Sequence, residues 1–362
     1  MAATRTTIPN LTGQGPWPDC FNDSNWLQLL TEEVLPGYLT TCRWYGGKAR
    51  VIDDLMLQEI IPMPTDAHPA LFLVLSILFH DGKSDQYFLP VTWISGPPEQ
   101  EKAVIAHMTT PAGEGYLIDA IYAPAFRMAL YQGIMTNQTI DEGEGELRLS
   151  KSKALAHAPA AASHTRVLNA DQSNSALIID DAFFLKLYRK VDYELNPDLE
   201  ITRFLTEETP FRHIPTYAGG IELHTDNHPV MVLGMMQEMV DNQGDAWPFM
   251  LNLLEESFDG MVAKGVVSQP APTLPDRLYH RYVDLPDLLR DSLPQHVADN
   301  LYLLGQRSAE MHQALAMGKD DAFKPIPFDD AYRMSFFDAL EQLVNKRLRL
   351  VKSTYEDLPA TL

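Results

Sequence analysis

One lysine stands alone in an apolar run. Phe183-Phe184-Leu185-Lys186-Leu187-Tyr188 reads as a strand in which Phe183, Leu185 and Leu187 face one side and Phe184, Lys186 and Tyr188 the other. An ammonium group in such a strand is unfavourable unless an anion meets it. Downstream, Asn196-Pro197-Asp198-Leu199-Glu200 supplies a helix cap, a proline at the first helical position and an acidic first turn. Glu200 is predicted to swing back over the sheet toward Lys186. A strand lysine paired to a carboxylate of the next helix is the phosphate-gripping device of protein-kinase-like folds. The same residues admit a plainer reading, in which an edge lysine snorkels to water and the glutamate complements the helix dipole.

Ahead of this strand, Asp171-Gln172-Ser173-Asn174-Ser175 is small and polar. Gln172, Ser173, Asn174 and Ser175 are candidates to cover phosphates. Without a glycine among them, the grip must come from hydroxyl, amide and backbone N–H donors. Further on, Met235-Met236-Gln237-Glu238-Met239-Val240 falls where an adenine ring would meet the strand between two lobes. Gln237, Glu238, Met239 and Val240 are the predicted nucleotide contacts there, methionine being adaptable enough to line such a slot.

The elements that must position these residues follow from periodicity. Apolar spacing predicts a helix over 25–39, ended or interrupted at Pro36-Gly37, and a meander of strands over 51–62, 70–79 and 86–94. Residues 1–95 thus read as a small α+β cap, with Gly96-Pro97-Pro98-Glu99 as the way out. A helical pattern over 117–134 and a strand over 146–150 precede the hairpin 176–188. The helix 197–207 and strands over 218–224 and 230–240 come next. Beyond Gly244 the pattern is helical, over 248–263, 297–315 and a stretch marked by Phe337, Leu340, Val344, Leu348 and Val351. The expected fold is α+β and bilobal: a cap at 1–95, a strand-rich lobe at 96–243 and an incomplete helical lobe at 244–362.

Composition narrows the partners. The 362 residues carry 49 acidic against 28 basic side chains, a net charge of −21, which argues against nucleic acid or an anionic membrane. No apolar run is long enough to span a bilayer, and no signal-like segment follows Met1. Two cysteines, Cys20 and Cys42, suit a reduced cytoplasm as inert packing or surface groups. His224 and His228 flank Asp226 without a third ligand at hand, so a hairpin turn is expected there and no metal.

Taken together, several stretches resemble one family, the maltokinases, which use ATP to phosphorylate maltose and often occur fused to trehalose synthase. Leu35-Pro36 with Arg43-Trp44-Tyr45-Gly46-Gly47-Lys48 looks like the family's cap signature, and Asp171–Ser175 is similar to its phosphate loop, with Asp171 where glutamate is usual. Phe184–Arg189 and Asn196–Glu200 match its lysine strand and following helix. Gln237–Val240 with Asp245-Ala246-Trp247 looks like its linker, and the run 304–315 like a helix of its second lobe. The resemblance implies a protein-kinase-like fold with a capped first lobe and ATP and maltose as ligands. It also implies that Lys186 holds the α- and β-phosphates, Glu200 orients Lys186, and Ser173 and Asn174 cover the phosphates. A trehalose synthase, by fusion or complex, is the implied macromolecular partner.

Family members also carry a His-Gly-Asp catalytic loop and a metal-binding aspartate after the second-lobe helix, and both are expected to lie beyond this sequence. His80-Asp81-Gly82, Phe258-Asp259-Gly260 and the stretch ending at Asp284 are lookalikes in the wrong places. No catalytic or metal residue is therefore assigned, and Mg2+ is expected only in a longer chain. A kinase of the aminoglycoside or choline type is disfavoured by the cap. A non-catalytic, pseudokinase-like domain serving trehalose synthase is the alternative. On either reading the 362 residues are expected to bind nucleotide weakly and to form no maltose 1-phosphate from ATP; a coupled ADP-release assay with maltose checks this.

Overall fold

The segment Ala70–Phe79 is apolar at every position but Ser76, so it has no polar face to turn to water. In the computed structural model most of its residues are buried, and it is the middle of a layered body. The structure describes residues 7–141, 145–155, 162–168, 173–265 and 281–354. The chain divides into two compact units, residues 1–311 and 312–362.

The first unit opens with β1 (Asn10–Thr12) and α1 (Ser24–Leu29), whose start is capped by the Asp23 carboxylate accepting from the backbone N–H groups of Asn25 and Trp26. A π-helical turn (Leu30–Val34) joins α1 to α2 (Leu35–Thr41). Pro36 thus does not end the helix. Its ring would collide with the carbonyl four residues back, and the wider turn just ahead of it absorbs that conflict.

The meander follows as β2 (Ile52–Met63), β3 (Ala70–Phe79) and β4 (Ser84–Ile94). The first sheet does not stop there. β5 (Val104–Thr110) and β6 (Gly113–Asp119) extend it in the order β1-β5-β6-β4-β3-β2. Gly96–Glu99, expected as the way out of the cap, lies between β4 and β5 of this sheet. The helix expected over 117–134 begins only at α3 (Pro124–Thr136), because Leu117–Asp119 pairs with β4.

A second sheet is assembled from β7 (Thr139–Asp141), β8 (Gly145–Lys151), β9 (Thr165–Leu168), β10 (Ser175–Ile179) and β11 (Phe183–Leu187). The short β12 (Lys190–Val191) leaves this sheet to pair with β4 of the first. Then come α4 (Pro197–Glu208), β13 (Tyr217–Thr225) and β14 (His228–Glu238), giving the order β7-β8-β13-β14-β11-β10-β9.

Between the sheets lies α3. Phe126 meets Phe72 of the first sheet at 5.7 Å, and Tyr131 meets Phe183 of the second at 5.8 Å. One buried cluster runs through all three elements, and a second fills the space between the first sheet and α1–α2. Both cysteines sit in the latter as free, buried thiols, and burial pushes Cys42 up to about 12, which keeps it protonated and unreactive. Helices α5 (Ala246–Ala263), α6 (Asp287–Ser292) and α7 (Gln295–Leu315) follow. The second unit consists of the last turn of α7 and the long α8 (Asp330–Thr354).

The two sheets are riveted by one residue. Arg189, immediately before β12, is fully buried; its Nη2 donates to Asp119 Oδ2 at 2.5 Å, its Nε to Ser175 Oγ at 2.8 Å and its Nη1 to the Phe88 carbonyl at 3.4 Å. The Phe88 N–H donates back to the Arg189 carbonyl, and the guanidinium lies 4.8 Å from the Trp44 ring centre. Removing one partner of such a pair leaves a bare buried charge, whereas removing both does not. Arg189→Met is therefore expected to destabilise the protein by about 3–5 kcal/mol. Adding Asp119→Leu should recover part of that loss. Urea unfolding of the two single variants and the double variant measures the coupling.

Candidate functional site

β11 lies between β10 and β14, and its pairing fixes what Lys186 can meet. Lys186 is opposite Ala176 on one side and Met235 on the other; Phe184 is opposite Ile178 and Gln237. These six side chains share one face of the sheet, and α4 packs on that face. The approach is close: a Cβ on Gly220 would lie 3.0 Å from Leu199 Cδ1 and 2.9 Å from the Tyr217 hydroxyl. Asn196 caps α4 by accepting from the Asp198 N–H at 2.9 Å, and Pro197 fixes the first helical position.

The carboxylate that meets Lys186 is Asp198, not Glu200. Lys186 Nζ donates to Asp198 Oδ2 at 2.5 Å, and the Tyr188 hydroxyl donates to the same oxygen at 3.0 Å. Helix geometry explains the correction. Successive residues advance by about 100°, so Asp198 and Glu200 point to nearly opposite sides of α4. The buried stripe Leu199, Thr202 and Leu205 selects which one turns toward the sheet. Asp198 lies beside that stripe and Glu200 away from it. Burial and the adjacent Asp198 carboxylate hold the Tyr188 phenol protonated, well above its usual range.

The remaining expected contacts divide. Gln172 lies outside the described residues. Ser173 is exposed and Asn174 half-buried just ahead of β10, free of any regular pairing. Ser175 is corrected: it opens β10, is buried, and its hydroxyl accepts from Arg189, so it belongs to the rivet between the sheets and not to a phosphate cover. On the linker, Gln237 and Glu238 are the half-buried end of β14. The Glu238 N–H donates to the Thr216 carbonyl and the Met239 N–H to the Ala182 carbonyl at 2.7 Å. Met239 and Val240 then emerge exposed. The four linker residues thus follow directly from the strand that pairs with β11.

Among the described residues no group of three or more His, Cys, Asp or Glu side chains is placed to hold a metal ion. His224, Asp226 and His228 sit at the β13–β14 turn, with His228 stacked on Tyr193 at 4.2 Å. Sequence reasoning missed the roles of Asp198, Tyr188, Arg189 and Asp119. The first was legible, since Asp198 and Glu200 both stand in the acidic first turn. The pairing of Arg189 with Asp119 joins residues far apart in the chain and carries no local signal.

These elements define an α+β protein with an N-terminal cap ahead of a lysine-bearing sheet and a helical C-terminal part. The cap is of a particular kind: residues 38–122 match the family model of the maltokinase N-terminal cap domain. That match ends at Tyr122, just past β6. Among solved structures, the chain is similar to a glucosamine kinase in complex with glucosamine, ADP and inorganic phosphate. There the TM-score is 0.41 and the identity 15%, over 74% of this chain and 48% of that one. A second crystal form of glucosamine kinase gives 0.40 and 14%, over 75% and 48%. The chain spans about half the length of the glucosamine kinases it matches.

Because Lys186 and Asp198 are 24% and 41% exposed, solvent screens their pair. A double-mutant cycle of Lys186→Met and Asp198→Asn is expected to give a coupling of about 0.5–1 kcal/mol. The parallel cycle with Glu200→Gln is expected to give a coupling near zero, as measured by thermal unfolding.

Proposed function

We propose that this chain supplies the cap and the nucleotide-binding lobe of an ATP-dependent maltose kinase, which transfers a phosphoryl group from ATP to form maltose 1-phosphate. The observation that carries the proposal is the Lys186–Asp198 pair on a strand–helix unit that follows a cap of maltokinase type and is tied to it through Arg189. Lys186 would meet the α- and β-phosphates of the nucleotide. Asp198 and the Tyr188 hydroxyl would keep its ammonium aimed along the sheet, the part that the helix carboxylate plays in protein-kinase-like sites. Ala176, Ile178, Phe184 and Met235 share the face of Lys186; with Ala176, Ile178 and Met235 buried, the half-buried Phe184 and the linker Gln237–Val240 are what this face would offer a base.

To ATP this half of a site would offer one cation for the phosphates and a strand end for the base. Among the described residues no group of carboxylates fits a magnesium cage. Maltose as the acceptor rests on the cap, as does a trehalose synthase as partner. The charge balance supports neither nucleic acid nor a membrane surface as partner, and no helix among the described residues is long and apolar enough to cross a membrane.

The chemistry expected of Lys186 is electrostatic, so removing the ammonium should weaken nucleotide binding without unfolding the sheet. Lys186→Ala is expected to lower affinity for ADP by at least tenfold, about 1.4 kcal/mol or more, with a circular dichroism spectrum like that of the parent. Calorimetric titration with ADP decides it. Equal affinity in the two proteins would remove the nucleotide site from this face.

A further inference from the structure

Ser175 holds a position that neither strand pairing nor phosphate binding requires. It is the first residue of β10, directly after Ser173 and Asn174, and it pairs in register with Leu187. Its side chain therefore lies on the face opposite to that of Lys186. There its hydroxyl oxygen accepts from Arg189 Nε at 2.8 Å, while the same guanidinium is held by Asp119 and the Phe88 carbonyl of the cap sheet and lies over Trp44. The end of the polar loop is thus tied, through one guanidinium, to three separate elements of the cap. Arg189 also stands three residues after Lys186, just past the end of β11, so one stretch of chain carries both the candidate phosphate cation and the group that anchors the root of β10.

We infer that Arg189 is a positioning residue for nucleotide binding: by holding Ser175 against Asp119, it fixes the path of Ser173 and Asn174 over the phosphates and makes nucleotide affinity depend on the cap. This rests on the nucleotide site proposed above. A loop tethered at its root samples fewer conformations than a free one, and affinity scales with the fraction that is binding-competent. Asp119, Trp44 and Arg189 touch no ligand on this account and act only through Ser175.

The test is calorimetric titration of the full 362-residue chain with ADP and with ATP plus Mg2+. Ser175→Ala removes the hydroxyl and leaves the Arg189–Asp119 pair in place. If the competent fraction falls to about a tenth, nucleotide binds about tenfold more weakly. Ser175→Thr keeps the hydroxyl and should bind as the parent does. Arg189→Lys keeps the charge facing Asp119 but loses the fork that reaches Ser175, and should weaken binding in the same direction. Parent-like affinity in Ser175→Ala overturns the inference while leaving the nucleotide site intact. Absence of binding by the parent chain overturns the nucleotide site itself.

Discussion

A guanidinium with no exposure to water is what the rest of this molecule is built around. Arg189 brings a full charge into a place where only well-directed hydrogen bonds make it tolerable, and it finds them on a carboxylate, a hydroxyl and a carbonyl. Two of those acceptors belong to the first sheet and one to the second. The charge cannot be satisfied unless both sheets are present and in register. Packing around it is equally shared, because α3 presents Phe126 to one sheet and Tyr131 to the other.

The lysine strand gains its geometry from the same arrangement. β11 is held on one side by β10 and on the other by β14, and its continuation crosses to β4 as β12. With both ends fixed, Lys186 has a defined station on the face covered by α4, where Asp198 and Tyr188 share one oxygen as its counter-group. A part-exposed ion pair of this kind adds little to stability. Its value is direction, since an ammonium that is already oriented loses less freedom when a phosphate arrives.

Much of this was legible in the residues. The hairpin around Asp180-Asp181, the capped helix from Pro197 and the strands on either side of Thr225–His228 follow from local patterns of turn chemistry and alternation. The strand over 70–79 follows likewise from its apolar run, broken only at Ser76. What could not be read was long-range. β6 sits beside β4 and β5 beside β6, places set by tertiary pairing that no local pattern announces. The choice between Asp198 and Glu200 depended on which side of α4 buries Leu199, a fact of packing that the acidic turn alone leaves open. Ser175 looked like loop because it is small and polar, yet its hydroxyl is turned into the interior by a partner that is remote from the cap residues it joins.

The middle layer has an implication for how such a protein can change over generations. Because α3 is floor to one sheet and ceiling to the other, the cap is not a module that recombination could insert or excise cleanly. Any ancestor without it needed a different covering for the inner surface of the lysine-bearing sheet and a different residue where Arg189 now stands.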